Sequence, residues 1–158
     1  MIIRQITEKD LDIASAICMA AFNESVAGSL SEEGISTFEK IASPDAFLKR
    51  MQEDNVILVS EEQGEVKGIV ELKEGRHVAM FFVDPRCQRR GVGKRLLSSA
   101  LEHARADVIS VSASLSSVPV YISCGFECKG GVAELSGLIY QPMELKMSTP
   151  PGAELSGD

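Results

Sequence analysis

HVAMFFVDPRCQRRGVGKRLLSSALEHAR, residues 77–105, decides how the rest of this 158-residue chain is read. It divides into strand, tight loop and helix. Val78 to Val83 is a short apolar run rich in β-branched and aromatic residues, about the length of a buried strand. Pro85 ends it, because proline has no N–H to give a ladder and pushes Asp84 away from helix. The spacing then turns helical: Val92, Leu96, Leu97, Ala100, Leu101 and Ala104 fall on one face. Between the two elements lie Gln88, Arg89, Arg90, Gly91, Val92 and Gly93.

That junction has the chemistry of an anion site. The first N–H groups of a helix have no internal partner, and the helix dipole makes that end positive. Gly91 and Gly93 carry no Cβ, so a ligand can approach the backbone closely. Arg86, Arg89, Arg90, Lys94 and Arg95 surround the turn in a chain of net charge −7. A pyrophosphate would satisfy both amides and charges. An ordinary glycine-softened helix start with a solvated basic edge fits these residues too. Two phosphate loops do not fit. A Walker loop needs glycine at position 88 and Ser or Thr after Gly93-Lys94, where the chain has Gln88 and Arg95. The dinucleotide fingerprint needs glycine at 96, which is Leu96.

Composition bounds the rest. The length suits one domain with a sizeable core, and 44% apolar with 25% charged residues is ordinary for a soluble globular protein. No apolar run approaches the roughly 20 residues that span a bilayer, and the N-terminus lacks the features of a signal peptide. The expectation is a cytoplasmic protein that does not engage membrane. A pI near 4.9 argues against broad nucleic-acid binding. Cys18, Cys87, Cys124 and Cys128 fit reduced thiols; Cys124 and Cys128 have no second pair or nearby histidine to complete a zinc site. No metal is expected. Cys87, inside the basic loop, is the one thiol with a setting for reactivity.

In chain order, Ile2, Ile3 and Ile6 predict a first strand, and Thr7 caps a helix whose apolar positions run from Leu11 to Phe22. Helices follow over about 31–41 and 45–52, the latter started by Ser43-Pro44. Residues 55–60 and 66–73 predict a hairpin turning at Gly64. Residues 107–113 predict a strand parallel to the one before the key helix, since a helix connects them. Ser116 or Ser117 caps a short helix with Pro119 in its first turn, ended by Gly125. Two last strands are expected over 126–132 and 138–147, then a polar, proline-rich tail, 148–158, expected to be disordered. Residues 1–147 read as one domain.

Gln88-x-x-Gly91-x-Gly93 after a strand, with Val83-Asp84-Pro85 before it and Leu96-Leu97 after it, resembles the acyl-CoA pyrophosphate loop of the GNAT superfamily of N-acetyltransferases. A second motif supports the same resemblance: Val118-Pro119-Val120-Tyr121 followed by Gly125-Phe126, and later Pro142-Met143-Glu144. The resemblance covers roughly 55–147. It implies an α/β (α+β) fold: a mixed, mostly antiparallel sheet of about seven strands flanked by helices, with a splayed parallel strand pair at the acyl-CoA site. It implies acetyl-CoA as co-substrate, an unidentified primary amine as acceptor, and leaves room for a homodimer. Helices before the hairpin would lie over the acceptor.

The same resemblance assigns roles. Arg89, Arg90, Gly91, Val92, Gly93 and Lys94, with Gln88, would hold the pyrophosphate, mainly through backbone N–H groups. A backbone N–H near Phe82 or Val83, beside a bulge, would receive the acetyl carbonyl. Ser114 stands where many members carry asparagine, so one cofactor contact is weakened. Tyr121 would be the general acid for the departing thiolate, since a phenol with pKa near 10 stays protonated at pH 7. Some members use a glutamate on the strand before the loop; this chain has none there, and Glu71 on the preceding strand is the candidate base. As a strand glutamate it reads equally as part of a solvated face. Two rivals stay open: an acyl-CoA-binding regulatory domain of this fold without turnover, and an interaction module using the 86–95 patch.

Overall fold

The computed structural model describes residues 1–88 and 90–147. Strands β1 (Ile2–Gln5), β2 (Asn55–Glu62), β3 (Glu65–Lys73), β4 (His77–Val83), β5 (Val108–Ala113), β6 (Glu127–Cys128), β7 (Ala133–Leu135) and β8 (Leu138–Lys146) form one mixed sheet. Its order is β1-β2-β3-β4-β5-β8-β6, with β7 also on β8. The pair β4–β5 is parallel and the others are antiparallel. Helices are α1 (Leu11–Ser25), α2 (Glu32–Ile41), α3 (Pro44–Met51), α4 (Val92–Leu101) and α5 (Val118–Ser123). No helix among the described residues is long and apolar enough to cross a membrane.

The predicted elements form for the reasons their residues give. The Ser31 hydroxyl accepts from the Gly34 N–H at 3.3 Å and that of Ser43 from the Ala46 N–H at 3.1 Å, so α2 and α3 start on side-chain caps. Thr7 starts a single 3-10 turn before α1, and its N–H and hydroxyl both donate to the Asp10 carboxylate. The apolar face of α4 buries Val92, Leu96, Leu97 and Ala100 against Leu58, Val70 and Leu72 of the sheet. The opposite sheet face, with Ile57, Val59, Ile69 and Met80, packs on α1, α2 and α3.

Two expectations change. The 126–132 segment is not one strand. Only Glu127–Cys128 pairs with β8, and Gly130-Gly131 interrupts the ladder before β7, so this segment gives two short strands, β6 and β7, among the eight of the described sheet. Ser117 stands at the N-cap position of α5, but its side chain makes no capping hydrogen bond. The Ser117 hydroxyl instead donates to the Ser114 carbonyl at 2.8 Å, within a 3-10 turn that precedes the helix. The tail, 148–158, lies outside the described residues.

Candidate active site

The site begins with a defect in the sheet. Along β3–β4, Glu71 pairs with Met80 but Leu72 pairs with Val78, so Ala79 is an extra residue on β4. Such a bulge bends its strand and raises the local twist. Beyond it β4 and β5 part. Their parallel register holds only at His77 with Ser110 and Val78 with Val111. β5 meanwhile stays on β8 through Ala113. A cleft opens between the C-terminal halves of β4 and β5.

The ladder decides which amides face that cleft. The Asp84 N–H donates to the Lys67 carbonyl at 2.8 Å. The two-residue alternation of an antiparallel pair then turns the Phe82 N–H toward Ile69 on β3. It turns the N–H groups of Phe81 and Val83 to the open edge. Of the two positions expected, Phe82 and Val83, Val83 therefore presents its amide, and Phe81 is the one the sequence reading missed. The Gln88 amide donates to the Val83 carbonyl at 3.2 Å, tying the loop to the same strand edge.

At the loop, Gly91 has φ +82° and precedes α4. A side chain there would be strained in the left-handed region. The first helical bond runs from the Arg95 N–H to the Gly91 carbonyl at 3.2 Å, so the N–H groups of Val92, Gly93 and Lys94 have no acceptor within the helix. A Cβ on Gly93 would stand 3.2 Å from the Phe81 ring, so the missing side chain lets strand and helix start approach closely.

The basic residues are not equivalent. Arg86 bonds Asp84 at 2.8 Å, and that guanidinium holds the Asp84 carboxyl below the usual carboxylate range. Arg90 stands 3.7 Å from Glu62, and Lys94 lines the cleft. Arg89 lies outside the described residues. Cys87 is buried, its N–H donating to the Asp84 carbonyl at 2.8 Å, which removes the exposure a reactive thiol needs.

Two cavities meet at the cleft. One, of about 720 Å³, is lined by Val83, Gln88, Gly91, Gly93 and Lys94 together with Ser116, Pro119 and Val120. The other, of about 250 Å³, lies between α1, α2 and β8, and Tyr121 lines it. Val26, Phe81, Phe82, Ser114 and Ser117 line both. Tyr121 is 4% exposed, edge-on to Phe81 at 5.6 Å and to Phe126 at 5.2 Å between ring centres. Burial pushes its phenol well above the ordinary value, so the protonated form is favoured. The Ser114 hydroxyl donates to the Ser117 hydroxyl at 2.9 Å.

Glu71 lies elsewhere. It lines neither cavity and is fully buried, its carboxylate taking Nε–H of Arg50 at 2.9 Å and 3.1 Å. β3 is central and covered on both faces, so a glutamate there has no solvated side to occupy. Burial raises its pKa while Arg50 opposes the rise. Arg50 also donates to the Ile41 carbonyl at 2.9 Å, closing the C-terminus of α2 onto α3.

The individual residues that wall the smaller cavity carry no local motif. Phe22, Phe38, Leu138 and Tyr140 come from three separate elements. Their only signal was scarcity: six Phe, two Tyr and no Trp make every aromatic a candidate.

Comparison with known proteins completes the description. Residues 26–147 match the family model of the acetyltransferase (GNAT) domain. A 53-residue stretch is 43% identical to the peptidyl-lysine N-acetyltransferase YiaC of Escherichia coli (strain K12), covering 34% of either chain. The match thus spans about a third of that curated relative. Among solved structures, a GCN5-related N-acetyltransferase of Rhodopseudomonas palustris superposes with TM-score 0.81 at 22% identity, over 92% of this chain and 95% of that one. The PaiA N-acetyltransferase of Thermoplasma acidophilum, in complex with coenzyme A, superposes with TM-score 0.75 at 22% identity, over 92% and 98%.

Proposed function

The chain belongs to the GNAT acetyltransferase family, and from that premise we propose that residues 1–147 act as one N-acetyltransferase unit. It moves the acetyl group of acetyl-CoA to a primary amine by direct attack. The observation that carries this reading is the meeting of two cavities at the β4–β5 splay. One has the free amides of a helix start and Lys94; the other has Tyr121; five residues wall both.

The residues fit the group. Amides of Val92, Gly93 and Lys94, opened by Gly91 and Gly93, suit a pyrophosphate. Arg90 and Lys94 add charge, and Arg89 belongs to the same reading. Phe82 and Ser114 wall the passage between the cavities. Acetyl-CoA supplies the thioester whose C–S bond breaks as the amine nitrogen forms the new C–N bond.

The chain's own part is positional and electrostatic. The Phe81 and Val83 amides are fixed dipoles at the open edge, where an acyl oxygen gains negative charge. The Tyr121 hydroxyl gives its proton to the departing sulfur and regains one released by the amine through water. Among the described residues no Asp, Glu or His lines the acceptor cavity, so a water chain, not Glu71, removes the amine proton in this reading.

The test has two parts. The thermal midpoint should rise by several degrees at acetyl-CoA near 100 times its dissociation constant, about 2.7 kcal/mol of added stability. Free thiol should then appear when amines are supplied. A midpoint unchanged at millimolar acetyl-CoA overturns the reading. A rise without thiol release from any amine leaves a binding domain without turnover.

A further inference from the structure

The acceptor cavity has a composition that selects among amines. Six of the eight aromatic residues of the chain line it: Phe22, Phe38, Phe81, Phe82, Tyr121 and Tyr140. Phe22 stacks on Phe38 with centroids 4.0 Å apart and planes 7° from parallel, and Phe38 meets Phe82 edge-on at 5.3 Å. This aromatic ladder runs from α1 through α2 to the strand edge where Phe81 and Phe82 meet the other cavity. Leu30, Ile41, Leu135, Leu138 and Ile139 are the larger aliphatic residues of the wall contributed from outside β4 and β5.

The chemistry of the described wall matters equally. Among the described lining residues there is no Asp, Glu, His, Lys or Arg, and polar side chains are limited to Ser112, Ser114, Ser117, Tyr121 and Tyr140. The net charge of −7 therefore lies outside this cavity. A volume of about 250 Å³ is below the roughly 300–1,000 Å³ of drug-sized sites, so the occupant is small.

We propose that the acceptor is a small primary amine carried on an apolar body of about one aromatic ring, and that amines bearing a second positive charge are rejected. This rests on the acetyltransferase reading above and narrows it. The amine enters with its nitrogen toward Tyr121 and Phe81 and its body along Phe22, Phe38 and Phe82. Aromatic walls reward such a body through burial of apolar area and offset or edge contacts. A second ammonium buried in the same space would have no carboxylate to pair with, and an unpaired buried charge is expensive. The ammonium that must lose its proton is helped by the same wall, because desolvation disfavours its charged form.

Steady-state thiol release with the full chain and saturating acetyl-CoA tests this, using phenethylamine and hexylamine against spermidine and kanamycin at one pH. The expected result is kcat/KM at least about 100-fold higher for phenethylamine than for spermidine. Equal or better use of spermidine or kanamycin overturns the proposal, as does acetylation confined to peptide amines. Ile139→Glu, on the partly exposed part of the wall and away from the loop cavity, should shift the phenethylamine-to-spermidine ratio at least tenfold toward spermidine. It should leave the acetyl-CoA thermal shift unchanged. An unaltered ratio in that variant overturns the assignment of this cavity to the acceptor. No thermal shift with acetyl-CoA defeats the underlying transferase reading. A normal shift with the amine ranking reversed defeats this inference alone.

Discussion

The two cavities that meet at the β4–β5 splay are built in opposite ways. The loop cavity draws its free helix-start amides and Lys94 from one local stretch, 83–94, and completes its wall with α1 and the 114–123 segment. The acceptor cavity is assembled from side chains of α1, α2, β4, β5, α5, β7 and β8. A site made of amides tolerates sequence change provided the glycines keep the backbone open. A site made of side chains from distant elements changes character with almost any substitution. The shared cleft thus joins a part fixed by local geometry to a part free to vary.

The largest expected effect falls at the junction. Tyr121→Phe should lower kcat by about 10²–10⁴-fold, the usual worth of a general acid, with the acetyl-CoA thermal shift kept. Unchanged turnover in steady-state assays would reduce Tyr121 to a packing residue. Because burial raises the phenol, the donor form persists as pH rises. Catalysis should therefore lose this acid only above the ordinary tyrosine value near 10. A pH–rate profile falling at pH 8–9 would break that assignment.

Next is the loop. Gly93→Leu should weaken acetyl-CoA binding by about 100-fold, since the new side chain meets the Phe81 ring and displaces amides each worth roughly 1.5–3 kcal/mol to a charged group. Calorimetric titration measures it. The contrast between cavities is sharpened if the acceptor KM of the residual enzyme is unchanged.

Glu71→Gln separates chemistry from architecture. It removes one half of a buried ion pair, and about 3–5 kcal/mol of stability should go with it in denaturant titration. The kcat of the folded fraction should stay within about twofold. A loss of 100-fold in kcat with stability intact would restore Glu71 as the base.

The smallest effect is remote from both cavities. Arg4 bonds Asp10 at 2.8 Å and lowers its pKa to about 2 from 3.8. A depressed carboxyl stabilises the fold above its unfolded value and loses that contribution as pH falls from about 4 toward 2. Asp10→Asn should therefore cost about 1–2 kcal/mol at pH 7 and nothing below pH 2, by urea titration at both pH values. Neither ligand should bind differently.

Strands, helices and the glycine loop were legible because each rests on neighbours in sequence. Period-two and helical spacing, Ser43-Pro44 and Gly91-x-Gly93 all act within a few residues. The reading failed where a distant element intervened. Glu71 was read by alternation as one side of a half-solvated strand, but β3 lies mid-sheet with helices on both faces. The 126–132 segment had strand composition, yet Gly130-Gly131 broke its pairing with β8.

By itself the sequence determined the α/β pattern, the glycine-containing loop before the key helix, the family resemblance and the placement of Tyr121 in a short helix after the parallel strand. Those follow from backbone preferences and short-range spacing, which any chain carries locally. Only the tertiary structure decided that Ala79 bulges, that Phe81 and Val83 rather than Phe82 present amides to the cleft, that Arg50 claims Glu71, and that six aromatics gather around one cavity. The physical reason is that strand register and cavity walls are set by packing between elements far apart in the chain. Local spacing carries no record of which of those elements will meet.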